Sequence, residues 1–267
     1  MKPPTKFSPM RGFLAASCVC AALAPLAPED AAARTLAEVK SLGAISMCAN
    51  ADALPYASNK PETPGFQIEI GRAIAQGLGV SLNTEWILPR RRANVVNCDM
   101  LLDTANDPEI SKGRLRLSRP YQKSGVALGM RQDAEPIGDF RELKKGQKIG
   151  TMINSVASMV LGKAGKTISP YAFQSDMVED LLKGDLYGIA VSSATMSYYI
   201  RQHPESGLRL VNVFDSESQL TWEVSVGLRK SDQALVDAVN EVLDRMLADG
   251  SLARIYAKYG VEHRRPQ

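Results

Sequence analysis

The chain has 267 residues, 45% of them hydrophobic, with 32 Lys and Arg against 29 Asp and Glu and a formal charge of +3. That apolar content can bury a substantial core, which excludes intrinsic disorder and a tiny stapled domain. The small charge, scattered rather than gathered into a run, excludes a dedicated nucleic-acid binder, and two His with four Cys in no ligand spacing argue against a metal centre.

Lys2, Lys6 and Arg11 open the chain, Gly12 to Leu26 is apolar, and Ala31-Ala32-Ala33 offers small residues to a signal peptidase. The pattern predicts a cleaved export signal over residues 1–33 and a periplasmic location. The alternative, a membrane anchor, needs roughly 20 apolar residues, more than this stretch supplies. Cys18 lacks the large aliphatic residue that usually stands three positions before a lipidated cysteine; Ala15 is there instead. Only Cys48 and Cys98 remain after cleavage. In an oxidising compartment they can pair, with a gain of about 4 kcal/mol in the chain-entropy model; two buried free thiols are the alternative.

Gly43 to Asn50 reads as a strand, followed by a Pro-rich loop with Pro55, Pro61 and Pro64. Phe66, Ile70, Ile74 and Leu78 recur every fourth position, which predicts an amphipathic helix. Val80 to Trp86 and Cys98 to Leu102 read as further strands, so strand, helix and strand imply a parallel sheet. Gly125 to Arg131 leaves this unit as a strand. A second αβ series follows: strand at Lys148 to Met152, helices at Ser155 to Lys163 and Ser175 to Leu182, strand at Leu186 to Ser192, helix at Ser193 to Gln202, and strand at Leu208 to Phe214. Val224 to Arg229 resembles Gly125 to Arg131, which predicts two paired strands crossing between lobes. Leu235, Val239, Val242 and Met246 form one helical stripe capped by Ser231 or Asp232, and Gly250 stops it; Ser251 is expected to cap a final helix ending at Gly260.

Gly65-Phe66-Gln67-Ile68-Glu69-Ile70, Cys98 to Leu102, Leu117 to Tyr121, Val224 to Arg229 and Asp249 to Gly260 together resemble the family 3 periplasmic solute-binding proteins. Met47 to Tyr56, Trp86 to Arg92, Asn97-Cys98-Asp99, Ser118 to Ser124 and Tyr259-Gly260-Val261 look like its quinoprotein-dehydrogenase-associated MxaJ/XoxJ branch. The resemblance implies a type II α/β fold of two lobes joined by two crossing strands, lobe one from 34–124 plus 223–267 and lobe two from 125–222. It implies neighbouring first and third strands, which brings Cys48 and Cys98 together. The implied function is solute capture for a membrane transporter permease, or, alternatively, service to a pyrroloquinoline quinone dehydrogenase by protein contact. Neither needs a cofactor. In amino-acid binders an Arg after the third strand clamps the ligand carboxylate, where this chain offers Lys112 and Arg114, and an acid ends the lobe-two strand, where Ser192 and Ser193 stand. The five residues between Arg92 and Cys98 leave no room for the helix that usually precedes the third strand.

Ligand-binding candidates sit on loops at the cleft. Tyr56 offers a stacking ring, or alternatively anchors its loop. Trp86 with Arg90, Arg91 and Arg92 suits a carboxylated ligand or an acidic surface, or is a solvated charge run beside a core Trp. Thr104 and Asn106 are candidates by position. Asn154 and Ser155 precede a helix and offer donors, or are an ordinary cap. No catalytic constellation is visible, and His203 and His263 have no evident partner. A third alternative, a dehydratase-like enzyme of the same fold, would use Asp103 or Asp107, each otherwise a turn or cap residue.

Overall fold

The computed structural model describes residues 34–87, 98–107, 109, 115–229 and 231–267. The expected signal segment 1–33, the shortened stretch before Cys98, Arg90 to Arg92, Lys112 and Arg114 lie outside the described residues.

Thr35 caps a short helix α1 (Leu36–Leu42) through a capping box with Glu38. Strand β1 (Ala44–Asn50) is buried along most of its length, as expected of a central parallel strand. A small hairpin, β2 (Asp52–Ala53) and β3 (Ala57–Ser58), precedes helix α2 (Phe66–Leu78), which matches the expected four-residue spacing and buries Ile70 and Ile74 completely. Each such burial stabilises by about 1.5–3 kcal/mol. Strand β4 (Ser81–Ile87) pairs parallel with β1, and β5 (Met100–Ala105) lies parallel on the other side of β1. That adjacency brings Cys48 and Cys98 to a Cα separation of 5.6 Å, joined by a disulfide.

After β6 (Leu115–Leu117), strand β7 (Gln122–Arg131) leaves this unit. The middle of the chain then runs β8 (Ile149–Met152), α3 (Val156–Lys163), β9 (Ile168–Tyr171), α4 (Gln174–Lys183), β10 (Gly188–Ser192), α5 (Ser193–Gln202) and β11 (Leu208–Val211). Strand β12 (Thr221–Arg229), α6 (Gln233–Ala248) and α7 (Ser251–Lys258) return to the first unit. Among the described residues ten strands make one sheet, ordered β4-β1-β5-β12-β7-β10-β8-β9, with β6 on β12 and β11 on β7. β7 and β12 pair antiparallel where they cross, Gln122 to Gly125 against Val224 to Thr221. Beyond that crossing β12 runs along β5, while β7 runs along β10 and β11. The fold is therefore two αβ lobes joined by two crossing strands.

Core packing follows the same division. One cluster gathers Ile45, Met47, Ile70, Met100, Val239 and Tyr256, and two others form around Leu128, Ile149 and Phe214 and around Met177, Leu181 and Met196. Helix α5 is the exception, because Ala194 is buried in the first cluster and Tyr198 packs against it. Its first turns thus bind the lobes to each other.

Several elements differ from the sequence reading. The strand expected over Leu208 to Phe214 ends at Val211, because Val213 and Phe214 turn into the core, with Phe214 against Phe140 at 5.6 Å between ring centroids. Ser251 does not cap α7: Gly250 holds the N-cap position in a left-handed conformation, φ 73°, and Ser251 begins the helix. Asp232, rather than Ser231, caps α6 by accepting from the Leu235 N–H. Helix α1 and strands β2, β3, β6 and β9 are too short to carry a period.

Candidate functional site

The loop after β1 is held from both sides. The Tyr56 N–H donates to the Ala53 carbonyl at 2.8 Å, while the Pro55 and Tyr56 carbonyls accept from Phe66 and Gln67 N–H groups at 3.0 and 2.9 Å. Gly65 makes this possible: its φ is 91°, and a Cβ there would stand 2.4 Å from the Tyr56 carbonyl oxygen. The Gly65 N–H in turn donates to the Tyr259 hydroxyl at 3.0 Å, which donates to Glu69 at 2.7 Å. Tyr56 is consequently anchored, with its ring 5.0 Å from that of Phe66, and Phe66 packs 4.6 Å from Tyr256.

From this anchor the Tyr56 hydroxyl reaches lobe two and hydrogen-bonds the Ser192 hydroxyl at the end of β10. Burial raises the Tyr56 phenol above its ordinary range, and hydrogen bonds from Ser192 and Thr195 oppose the rise. The loop-anchor reading of Tyr56 thus describes its contacts.

Beside Tyr56 lies a cavity of about 200 Å³. Tyr56, Phe66, Tyr121 and Trp222 give it aromatic walls, and Gln67, Asp103, Gln122 and Ser124 give it polar atoms. Both crossing strands contribute, β7 through Gln122 and Ser124 and β12 through Trp222 and Val224. The Tyr121 hydroxyl donates to the Leu102 carbonyl and the Tyr256 hydroxyl to Gln122 Oε1, so both buried phenols are satisfied. Burial pushes both far up, which keeps them neutral donors.

Asp103 is the charged residue among those lining this space. Its side chain has solvent access because it borders the cavity, yet surrounding protein still desolvates the carboxyl and raises its pKa. Hydrogen bonds from its own backbone N–H and from Gln67 oppose that rise.

The other sequence candidates scatter. Ser193 opens α5 beside Ser192, half-buried. Thr104, next to Asp103 on β5, faces the opposite way, buried against Gly227 of β12. Asn106 is exposed, its N–H bonded to the Glu223 carbonyl at 2.8 Å. Ser155 is the N-cap of α3, accepting from the Ser158 N–H at 3.1 Å, and Asn154 before it is exposed with φ 59°. These caps do not line the cavity. Trp86 is 42% exposed on the edge strand β4, which corrects the alternative of a core Trp and places it away from the cavity walls. Arg90 and Arg91 lie outside the described residues. His263 does have partners: it donates to the Tyr121 carbonyl at 2.9 Å and stacks on Tyr256, while His203 faces Glu205 at 3.3 Å.

Phe66, Gln67, Tyr121, Gln122 and Trp222 were not candidates from sequence, and Asp103 was one only as the carboxylate of a dehydratase-like enzyme. One signal pointed to Asp103: it is the charged residue in the otherwise apolar or small run Met100 to Ala105, at the strand end that faces the loops. Among the described residues no His, Cys, Asp and Glu group suits a metal ion, and no helix is long and apolar enough to cross a membrane.

The family model of bacterial extracellular solute-binding proteins, family 3, matches residues 45–262. The chain belongs to that family. This family 3 protein is similar to a probable histidine-binding protein of Neisseria gonorrhoeae, 23% identical over 261 residues that cover 94% of this chain and 96% of that one. Its fold is that of the L-cystine solute receptor of Neisseria gonorrhoeae in its unliganded open conformation, with TM-score 0.73, 17% identity, and 87% and 99% of the two chains covered. MxaJ from Methlophaga aminisulfidivorans MPT shares the fold at TM-score 0.65 and 18% identity, with 82% of this chain and 99% of that one covered. As a family 3 member the chain is an extracellular solute-binding protein.

Proposed function

We propose that this protein is exported with cleavage after Ala33, captures a small polar solute at the cavity that lobe one and the crossing strands wall beside Tyr56, and presents it to a membrane permease. The observation that carries this reading is a cavity built from both crossing strands, β5 and the Tyr56 loop, with Tyr56 bonded to Ser192 of the opposite lobe. Closing the lobes orders these groups together, as hinge-closing binding proteins do. In this reading lobe one comprises 34–124 and 223–267, and lobe two 125–222. The similar proteins name histidine and L-cystine, so amino acids head the solute panel.

The test is thermal unfolding of the mature protein against amino acids, amines and carboxylates. A solute at 100 times its Kd adds about 2.7 kcal/mol of stability and raises the melting temperature accordingly. If no solute moves the transition, capture is wrong. N-terminal sequencing of the exported protein checks the cleavage position.

A second reading, an accessory protein of a quinoprotein dehydrogenase, is favoured by the run Met47 to Tyr56, whose Cys48 is bridged to Cys98 and whose Tyr56 reaches the cleft. It predicts co-purification with a periplasmic dehydrogenase and indifference to every solute.

A further inference from the structure

We propose that residues 260–267, the segment after α7, form a strap that passes from lobe one to lobe two and biases the angle between them, with the Arg264–Asp215 ion pair as its fastening. The inference goes beyond solute capture and is the same whether the cavity holds a solute or the protein serves an enzyme by contact.

On lobe one the strap is tied along its length. The Val261 N–H donates to the Tyr256 carbonyl of α7 at 3.2 Å, and His263 bonds the Tyr121 carbonyl and stacks on the Tyr256 ring. The Arg265 guanidinium donates to the Leu247 carbonyl of α6 at 2.8 Å. Among these ties the strap meets both crossing strands. The Lys123 N–H of β7 donates to the Arg264 carbonyl at 2.8 Å, and the Gln267 N–H donates to the Glu223 carboxylate of β12 at 2.8 Å. Lys123 and Glu223 face each other in the register of the two strands.

From this fixed backbone two contacts reach the other lobe. Arg264 pairs with Asp215 at 2.6 Å. Asp215 follows Phe214, which is fully buried in a lobe-two core cluster, and the next residue, Ser216, is held by Asp139 and Arg141, so the carboxylate stands on a fastened turn. At the start of the strap Gly260 faces Arg201 of α5: a Cβ there would stand 2.6 Å from the Arg201 Cδ, so the arginine stem lies across the glycine. A rotation of lobe two about the crossing must carry Asp215 and Arg201 away from the strap or pull the strap off lobe one.

Magnitude decides the role. The Arg264 and Asp215 side chains are 21% and 39% exposed, so water screens the pair and it contributes little to folding. The gap between two lobe orientations is itself small, so the same pair shifts that equilibrium measurably.

The test measures the interlobe distance distribution in the mature protein by double electron–electron resonance, with spin labels at Lys60→Cys and Lys163→Cys, one exposed position on each lobe; the native Cys48 and Cys98 are bonded to each other and take no label. Arg264→Gln and Asp215→Asn are each expected to lower the population at the parent distance about two- to fivefold, and the exchanged pair, Arg264→Asp with Asp215→Arg, to restore it. Hydrogen exchange at the Lys123 amide should quicken in both single variants, a readout that needs no labels, and circular dichroism checks that every variant is folded. Unchanged distances in both single variants would overturn the strap, as would a Lys123 amide that exchanges no faster in either. Altered distances that the exchanged pair fails to restore would overturn the ion pair as its fastening.

Discussion

The hydroxyl of Tyr56, in the loop after the first strand, bonds the hydroxyl of Ser192, 136 positions later at the end of a lobe-two strand. Tyr56→Phe keeps the ring on Phe66 and removes this bond. The expected loss is about 1 kcal/mol, or roughly 3 °C in melting temperature for a chain of this size. Hydrogen exchange should quicken at Ser192 to Thr195, where the lobes meet. An unchanged exchange pattern would show that Ala194 packing alone holds them.

Gly65→Ala should be more harmful than Gly79→Ala. Both glycines have positive φ, so both substitutions carry the left-handed penalty, about 1 kcal/mol. Only at Gly65 would the new methyl group meet backbone, the Tyr56 carbonyl at 2.4 Å, whereas Gly79 faces open space. A further 1–3 kcal/mol is expected at Gly65 from the displaced loop, together with loss of solute binding. Equal melting temperatures for the two variants would contradict this account of the loop.

Asp103 makes stability depend on pH with a sign opposite to that of a salt-bridged carboxylate. Its pKa is raised in the folded chain, so the folded state holds the proton more tightly than the unfolded one. The group's contribution is therefore full at low pH, falls as pH rises from about 4 through the raised value, and stays low above it. Asp103→Asn should exceed the parent in stability at neutral pH, and the gap should close below pH about 4. Its facing neighbours Tyr56 and Tyr121 titrate well above this window. Paired melting curves across pH decide the matter; a constant gap would mean Asp103 is not desolvated.

Replacing Cys48 and Cys98 together by Ser should cost about 4 kcal/mol, the chain-entropy value for a crosslink spanning 50 positions. Reduced parent and double variant should unfold at the same denaturant concentration. A loss well below 2 kcal/mol would mean the unfolded chain already brings β1 and β5 together.

Helix α2 and the stripe of α6 were legible because burial repeats at the helical period over many turns. The two crossing strands were legible as similar runs, although each begins three residues earlier than its apolar part, where Gln122 to Ser124 and Thr221 to Glu223 pair with each other rather than with a core. The cavity beside Tyr56 was less legible. Thr104 was a candidate by position alone, and the two-residue alternation of β5 turns it towards Gly227 while Asp103 borders the cavity. Trp222 and Tyr121 join Asp103 only through the crossing of β7 and β12, a long-range pairing that local pattern does not encode. Ser155 looked equally suited to ligand or cap, and its bond to Ser158 makes it a cap.

The two connecting strands are zipped to each other over Gln122 to Gly125 and Thr221 to Val224, and four of those residues, Gln122, Ser124, Trp222 and Val224, are also walls of the cavity. The pivot and the pocket are thus one piece of backbone. In the solute-capture reading, a molecule in the pocket would touch the pivot directly, and its occupancy would bias lobe orientation without a relay through the body of either lobe.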